Sequence, residues 1–385
     1  MKDSTVNQLI AETFLQMAEG LETGSFGKKP RIALTGLDSE HGETEMLAAA
    51  TQAAASGIDV TYIGTLEAPG VTTVQADCPE KGHEIMQQML KNGELDGAVT
   101  MHFPFPIGVS TVGRVVTPGR GKEMFLAATT GASSADRVEG MVKNALYGII
   151  AAKACGIAEP TVGILNIDGA RKAEQALRQL QENGYPLTFA QSGRADGGCV
   201  MRGNDLLAGS CDVMVTDTLT GNLLMKVLSA FTTGGSYESL GYGYGPGIGK
   251  GQDELVMIVS RASGAPVIAN AIRYAAQLVK NDYRAVMQAE FEAADRAGFE
   301  EILQSCRAVA KPEAAAQTVT APVKEVVTHA FVGIDVMDLE DAVQALWGAG
   351  IYAESGMGCT GPVVLVNEAK AEQAQQVLKA GGWVG

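Results

Sequence analysis

Basic residues are scarce in this chain. Its 385 residues hold 29 lysines and arginines against 44 aspartates and glutamates, a formal net charge of −15. Such a surface repels nucleic acid and anionic membranes, so neither is expected as a partner. An anionic substrate would need a local pocket of cations or backbone N–H groups. Histidine is rarer still, at positions 41, 83, 102 and 329, with no His-Glu-x-x-His run. A histidine-built metal site is therefore not expected. The six cysteines (78, 155, 199, 211, 306 and 359) include no Cys-x-x-Cys. This argues for a reduced, cytoplasmic protein without a zinc site. No apolar run approaches the roughly 20 residues that span a bilayer. Residues 1–28 carry charges and lack the continuous apolar centre of a secretory signal.

What is present is alternation. Residues 3–22 place apolar side chains at helical spacing behind Ser4 and Thr5. Short apolar runs at 31–36, 60–64, 96–101, 125–130, 161–167, 212–216 and 254–259 read as strands. Helical patterns at 43–56, 83–91, 136–156, 168–183, 223–231 and 266–292 separate them. Strand–helix alternation with Val- and Ile-containing runs predicts a doubly wound, mostly parallel α/β sheet covered on both faces. Residues 309–324 are small and Pro-flanked, which predicts a linker. The division is then an N-terminal helix in 1–28, an α/β domain in 29–308 with room for two lobes, the linker, and a small α+β module in 325–385. Within that module, strand 331–336, helix 339–347, an extended stretch 352–366 and helix 369–380 are expected.

Several segments are candidates for chemistry. Cys359 lies in Gly356-Met-Gly-Cys-Thr-Gly-Pro362. Gly358, Thr360 and Gly361 would shape a turn whose N–H groups lower the thiol pKa and hold an oxyanion. The bland reading is a glycine turn with cysteine as filler. Thr220-Gly221-Asn222 lies between a buried strand and a helix, where sheets of this type bind ligands and free N–H groups hold phosphate. Its bland reading is a capped junction. Arg261, between a strand and the helix near Pro266, is a phosphate or carboxylate clamp, or a plain surface arginine. Residues 241–251 carry glycine at every second position, followed by neither Ser nor Thr after Lys250. They read as a mobile anion loop or an exposed connection, but not as a nucleotide fingerprint. The stretch from His102 through Arg114 to Arg120 reads as a long aromatic, basic loop, either lid or docking surface. His41-Gly-Glu43-Thr-Glu45 is a weak acid–base candidate, more simply a helix start. Cys199, after two glycines, is the rival to Cys359 for exposure.

The stretches 161–166, 212–217, 220–222 and 264–271 resemble the phosphate acyltransferase family of bacterial phospholipid synthesis over roughly residues 30–295. That resemblance implies the fold of phosphotransacetylases and isopropylmalate dehydrogenases. With the linker and the Cys359 module included, the chain is similar to the alpha subunits of component C of glycine/sarcosine/betaine reductase complexes. The phospholipid enzymes lack that module. The resemblance implies a subunit that takes the carboxymethyl group of selenoprotein A as an acetyl thioester on Cys359. Inorganic phosphate held by Thr220, Gly221, Asn222 and Arg261 would release it as acetyl phosphate. It also implies a thiolase-like beta subunit as partner and no cofactor of its own. Two other readings stand beside it. One is a self-contained phosphate acyltransferase acting on a coenzyme A or carrier-protein thioester, with Cys359 incidental. The other is a non-catalytic scaffold for the beta subunit.

Overall fold

The structure, a computed structural model, describes residues 11, 13–15, 17–18, 20–21, 28–193, 197–307, 319–332, 334, 338–358 and 361–384. Two compact units divide the chain, residues 1–307 and 308–385. The described residues between 11 and 21 are helical.

In the first unit the strands are β1 (Arg31–Thr35), β2 (Asp59–Gly64), β3 (Thr72–Gln75), β4 (Gly97–Thr100), β5 (Val109–Val116), β6 (Glu123–Ala132), β7 (Thr161–Leu165), β8 (Thr188–Phe189), β9 (Val200–Met201), β10 (Val213–Val215), β11 (Gly245–Ile248) and β12 (Val256–Ile258). The helices are α1 (Glu43–Ala54), α2 (Pro79–Lys91), α3 (Arg137–Ala154), α4 (Ala170–Glu182), α5 (Gly203–Ala208), α6 (Thr218–Ala230), α7 (Ala265–Lys280), α8 (Tyr283–Arg296) and α9 (Phe299–Cys306). One sheet runs β3-β2-β1-β4-β12-β11-β5-β6-β10-β7-β8, with β9 on β7. Pairing is parallel within β3-β2-β1-β4-β12 and within β6-β10-β7. It is antiparallel where β11 meets β12 and β5, and where β5 meets β6. The expected mostly parallel α/β sheet is therefore present, as two parallel halves joined by an antiparallel seam.

Side-chain alternation along the strands builds the layers. Ile32 and Leu34 of β1, Phe125 and Ala127 of β6, and Val213 and Val215 of β10 enter one continuous core with α1, α3 and α7. On the opposite face the core is split. Ala33 and Ile63 pack with Met86 and Leu90 of α2, whereas Met124, Leu126 and Met214 pack with Met225 and Leu228 of α6. Phe103 and Phe105 lie against both of these clusters.

That placement corrects two sequence expectations. The stretch 102–120 is not a long loop: residues 109–116 form β5, and the two phenylalanines seal the gap between the split cores. Arg114 is no part of a lid. Its guanidinium lies 4.3 Å from the Tyr242 ring centre and donates to Glu123 and to Gln277 Oε1. The glycine-rich 241–251 segment is no flap either, because residues 245–248 are a buried strand. A Cβ on Gly245, at φ +84°, would lie 1.7 Å from the Val112 carbonyl oxygen, and one on Gly247 would strike the Phe105 ring. Glycine here answers a lack of space rather than a need for motion. Lys250 is bound to Asp295 and Glu300 at 2.8 and 3.0 Å. The helix expected over 266–292 is two helices, broken at Asp282, which turns left-handed at φ +50° and caps α8 through Ala285 N–H.

The second unit contains β13 (His329–Val332), α10 (Leu339–Gly348), β14 (Ala353–Gly358), β15 (Gly361–Val366) and α11 (Ala371–Ala380). Its antiparallel sheet runs β13-β15-β14. Val343 and Leu346 of α10, Val364 and Val366 of β15 and Leu378 of α11 share one small core.

Candidate functional site

The site is built around four residues, Ser260–Ser263, which carry the chain from β12 into α7. The loop is fixed by its own hydroxyls: Ser260 N–H donates to Ser263 Oγ and Ala262 N–H donates to Ser260 Oγ, both at 3.1 Å. Each member also reaches a different element. Arg261 Nη2 lies 2.5 Å from Asp38 Oδ2, just beyond β1. Asp38 itself holds a left-handed backbone at φ +82°, the kind of local strain that recurs at ligand sites. The Ala262 carbonyl lies 3.1 Å from His41 Nε2. Ser260 Oγ accepts from Lys226 Nζ of α6 at 3.3 Å.

Ser263 Oγ donates at 2.8 Å to Glu238, whose buried carboxylate also accepts from Tyr244 at 3.2 Å and lies 3.7 Å from Lys226 Nζ. Glu45 accepts from Tyr237 at 2.6 Å and from Ala265 N–H, at the start of α7, at 2.8 Å. The Tyr237 bond, then the Ala265 bond, hold this carboxyl below its usual range. Burial and Glu45 push the Tyr237 phenol up to about 12. Glu45 thus already occupies the N-terminus of α7 as an anion.

The Thr220-Gly221-Asn222 segment lies inside the first turns of α6, which begins at Thr218 rather than at 223 as the sequence pattern suggested. The cause is Asp217, which accepts from Thr220 N–H at 2.8 Å and Thr220 Oγ1 at 3.0 Å. Burial would raise the Asp217 carboxyl, but the Thr220 N–H and Arg137 outweigh it and hold it low. Arg137 lies 2.6 Å from Asp217 and 3.5 Å from Asp168. Gly221 lies flat on β6, and Asn222 Nδ2 donates to the Thr129 carbonyl at 3.0 Å. The segment's N–H groups are spent: Thr220 on the Asp217 side chain, Gly221 on the Asp217 carbonyl, and Asn222, the fifth residue of the helix, on the regular i→i−4 ladder.

The helix nevertheless joins the two predicted segments. Lys226 is one turn beyond Asn222 on the same face, and it touches the loop that carries Arg261. Two cations thus stand beside β12 on a chain otherwise dominated by acids. Sequence reasoning passed over Lys226, although its i, i+4 spacing from Asn222 was available.

It also passed over the gathering of histidines. His83, on α2, has Nε2 3.2 Å from Thr100 Oγ1 at the end of β4, and Thr100 accepts from Thr35, at the end of β1, at 2.9 Å. With His41 and His102, three of the chain's four histidines meet this end of the first sheet half.

The thiols sort clearly. Burial pushes Cys155 and Cys211 up to about 12 and Cys199 up to about 11. Cys199 is buried, which removes it as an exposed rival. Cys359 and Thr360 lie outside the described residues; the flanking β14–β15 register ends with Gly358 opposite Gly361. No group of three or more His, Cys, Asp or Glu suited to a metal occurs among the described residues, and no helix among them is long and apolar enough to cross a membrane. A cavity of about 450 Å³ opens at the other end of β1 and β4, but Arg31 and Asp96 in its wall satisfy each other at 2.6 Å, and it does not reach the 260–263 loop.

Comparison with known proteins places this arrangement. Residues 30–365 match the family described as fatty acid synthesis protein. The chain is 57% identical over 383 residues to the glycine/sarcosine/betaine reductase complex component C subunit alpha of Peptoclostridium acidaminophilum, covering 99% of this chain and all of that one. It is 31% identical over 166 residues to a phosphate acyltransferase of Geobacillus sp. (strain WCH70), covering 37% of this chain and 46% of that one. Among solved structures, a branched-chain phosphotransacylase from Enterococcus faecalis V583 aligns over 65% of this chain and 99% of its own at 15% identity and TM-score 0.45. The chain belongs to the fatty acid synthesis protein family, in the branch represented by component C alpha subunits of glycine/sarcosine/betaine reductase complexes.

Proposed function

We propose that this subunit passes an acetyl group from a thioester on Cys359 to inorganic phosphate, releasing acetyl phosphate. The observation that carries the phosphate half is that Lys226 touches, through Ser260, the same 260–263 loop that carries Arg261. Each cation is held in position by a carboxylate, Glu238 and Asp38 respectively, and each keeps further N–H donors for an anion. Asn222, one turn before Lys226 on the same helix, adds a second amide hydrogen beside the one it gives the Thr129 carbonyl; Thr220 Oγ1 fixes the start of that helix through Asp217, and Gly221 lets the helix lie close against β6. The thioester half rests on Cys359, with Gly358, Thr360 and Gly361 shaping its N–H environment. The similarity of the whole chain, C-terminal unit included, to a component C alpha subunit supports it.

In this reading the acetyl group derives from the carboxymethyl group on the selenocysteine of selenoprotein A, and a thiolase-like beta subunit is the stable partner. Thiolate is the strong nucleophile that forms a thioester, and a phosphate oxygen then attacks its carbonyl while the C–S bond breaks.

The test is peptide-mapped mass spectrometry of the alpha–beta complex after incubation with acetyl phosphate. A hydroxylamine-labile acetyl mass on the Cys359 peptide is expected. Acetyl on a beta-subunit cysteine, with Cys359 unmodified, would overturn the assignment. For the phosphate half, Lys226→Met should raise the KM for phosphate about tenfold, the scale of one charge-assisted hydrogen bond discounted for exposure. An unchanged KM would remove Lys226 from the pocket.

A further inference from the structure

We propose that the outward ridge of α6 is covered by the N-terminal helix of a second copy of this chain, each copy lending its helix to the other. The proposal stands apart from the acetyl phosphate reading and survives its failure.

Among the described residues, eight of the twelve large apolar side chains that stand in solvent belong to two places. Leu219, Leu223 and Val227 follow one another four residues apart along α6, and Phe231 continues the spacing in the short turn after it. They are 82, 62, 52 and 51% exposed. Side chains four apart form a ridge of the kind that seats in the groove of another helix. The inner face of the same helix is apolar too: Met225 and Leu228 are core, and Gly221 lies against β6. A helix that is apolar on both sides is one that is buried on both sides. A continuous apolar row left in solvent marks an interface.

The second uncovered row is Phe14, Leu15, Met17 and Leu21, exposed by 68, 70, 53 and 78%. The described residues between 11 and 21 are helical, and Phe14, Met17 and Leu21 stand at i, i+3 and i+7, one stripe of a helix. A helix this short is marginal in water unless packing covers such a stripe. In the single chain neither row is covered, so the cover of each comes from another molecule.

Charge selects the match. Residues 6–22 hold three carboxylates, Glu12, Glu19 and Glu22, and no lysine, arginine or histidine. Residues 218–231 hold no carboxylate and one cation, Lys226. On a chain of net charge −15, an all-acidic helix meets no like charge on α6. Two α6 ridges set against each other would lack this complement and would leave the N-terminal row in solvent. A reciprocal exchange across a twofold axis covers all four rows at once.

The experiment uses the full-length chain, free and in the alpha–beta complex. Two copies are co-expressed, one with the photoreactive amino acid p-benzoylphenylalanine at position 223, the other marked in mass by Thr23→Ser. Trypsin cuts after Lys2 and Lys28, so the N-terminal helix is recovered as the single peptide 3–28. Irradiation should join the photoreactive α6 peptide to the mass-marked 3–28 peptide. Cross-links to the unmarked peptide alone would place the helix on its own chain, and cross-links to a second α6 or to the beta subunit would name another occupant; each overturns the proposal. Light scattering supplies an independent reading. The free wild-type chain should show twice its 40.1 kDa mass. Both Leu223→Glu and deletion of residues 1–22 should weaken the pair about 10²-fold, the scale of losing a central apolar anchor. The exposure of Leu223 predicts an unchanged unfolding midpoint for Leu223→Glu. A monomeric wild type, or a deletion variant that still pairs as tightly, would overturn the proposal.

Discussion

Cys359→Ala is expected to abolish acetyl phosphate formation by the assembled complex while the protein still folds and still binds phosphate. Alanine removes the sulfur proposed to carry the acyl group, and no other thiol with a resolved shift in the described residues offers a substitute. Cys155, Cys199 and Cys211 are pushed up to about 12, 11 and 12 by burial, so almost none of each is thiolate at neutral pH. Deleting a covalent nucleophile costs on the order of 10³-fold or more where the mechanism depends on it. The rate of acetyl phosphate release, with circular dichroism and phosphate binding as controls, checks it. A rate within a few-fold of wild type would leave Cys359 incidental and return the chemistry to a direct phosphate acyltransferase or to the partner. Deletion of residues 325–385 separates those two, since a self-contained transferase survives it.

Gly221→Ala should produce the largest loss of stability of any single methyl added to the first unit's site region. The new Cβ would lie 1.7 Å from the Ala128 carbonyl oxygen and 2.7 Å from Thr216 Oγ1. The first of these is β6 backbone, and its carbonyl already accepts from Thr216 Oγ1 at 3.2 Å, a bond that is lost if it yields. The helix must move instead, and overpacking of this kind costs on the order of 3 kcal/mol. Moving α6 displaces Asn222 and Lys226 with it, so phosphate KM should rise in parallel with the fall in unfolding midpoint. Gly203→Ala is the control: it lies in α5, and its Cβ would meet nothing within 4 Å. That change should be neutral or stabilising by up to about 1 kcal/mol. Equal midpoints for the two variants would show that the Gly221 contact relaxes cheaply.

Much of this architecture was legible in the sequence, and the failures have physical causes. The runs around Leu34, Val99, Ile164 and Met214 are short, apolar and bounded by turn residues, so buried parallel strands could be read from them. The start of α6 was set five residues late because Thr218, Thr220 and Gly221 are weak helix formers; the Asp217 cap was the overlooked signal. The 245–248 strand was invisible because glycine has little strand propensity, and the reason for glycine there is the proximity of Val112 and Phe105. The missed β5 stands between the turn-rich stretches Pro104–Gly108 and Pro118–Gly121, which made the whole region look like loop. The Thr220 and Arg261 segments were each identified alone; the spacing of Lys226 from Asn222 was legible in the chain, but its contact with Ser260 is tertiary. His41, His83 and His102 meet only through tertiary structure: no spacing along the chain predicts that α2 presents His83 to the end of β4.

The place of β12 beside β4 in the first parallel half has a consequence for how the chain is made. Val99 of β4 pairs with Met257 of β12, so the first sheet half is completed by a strand synthesised long after it. The second half, from β6 to β10, has all its partners nearer at hand. A nascent chain that has not yet emitted residue 258 therefore exposes β4 as an open edge, with its N–H and C=O groups unpaired. Closure of that edge waits on distant residues, the kind of contact that forms slowly. The lower-numbered half of the sheet is thus the later to mature, although it leaves the ribosome first.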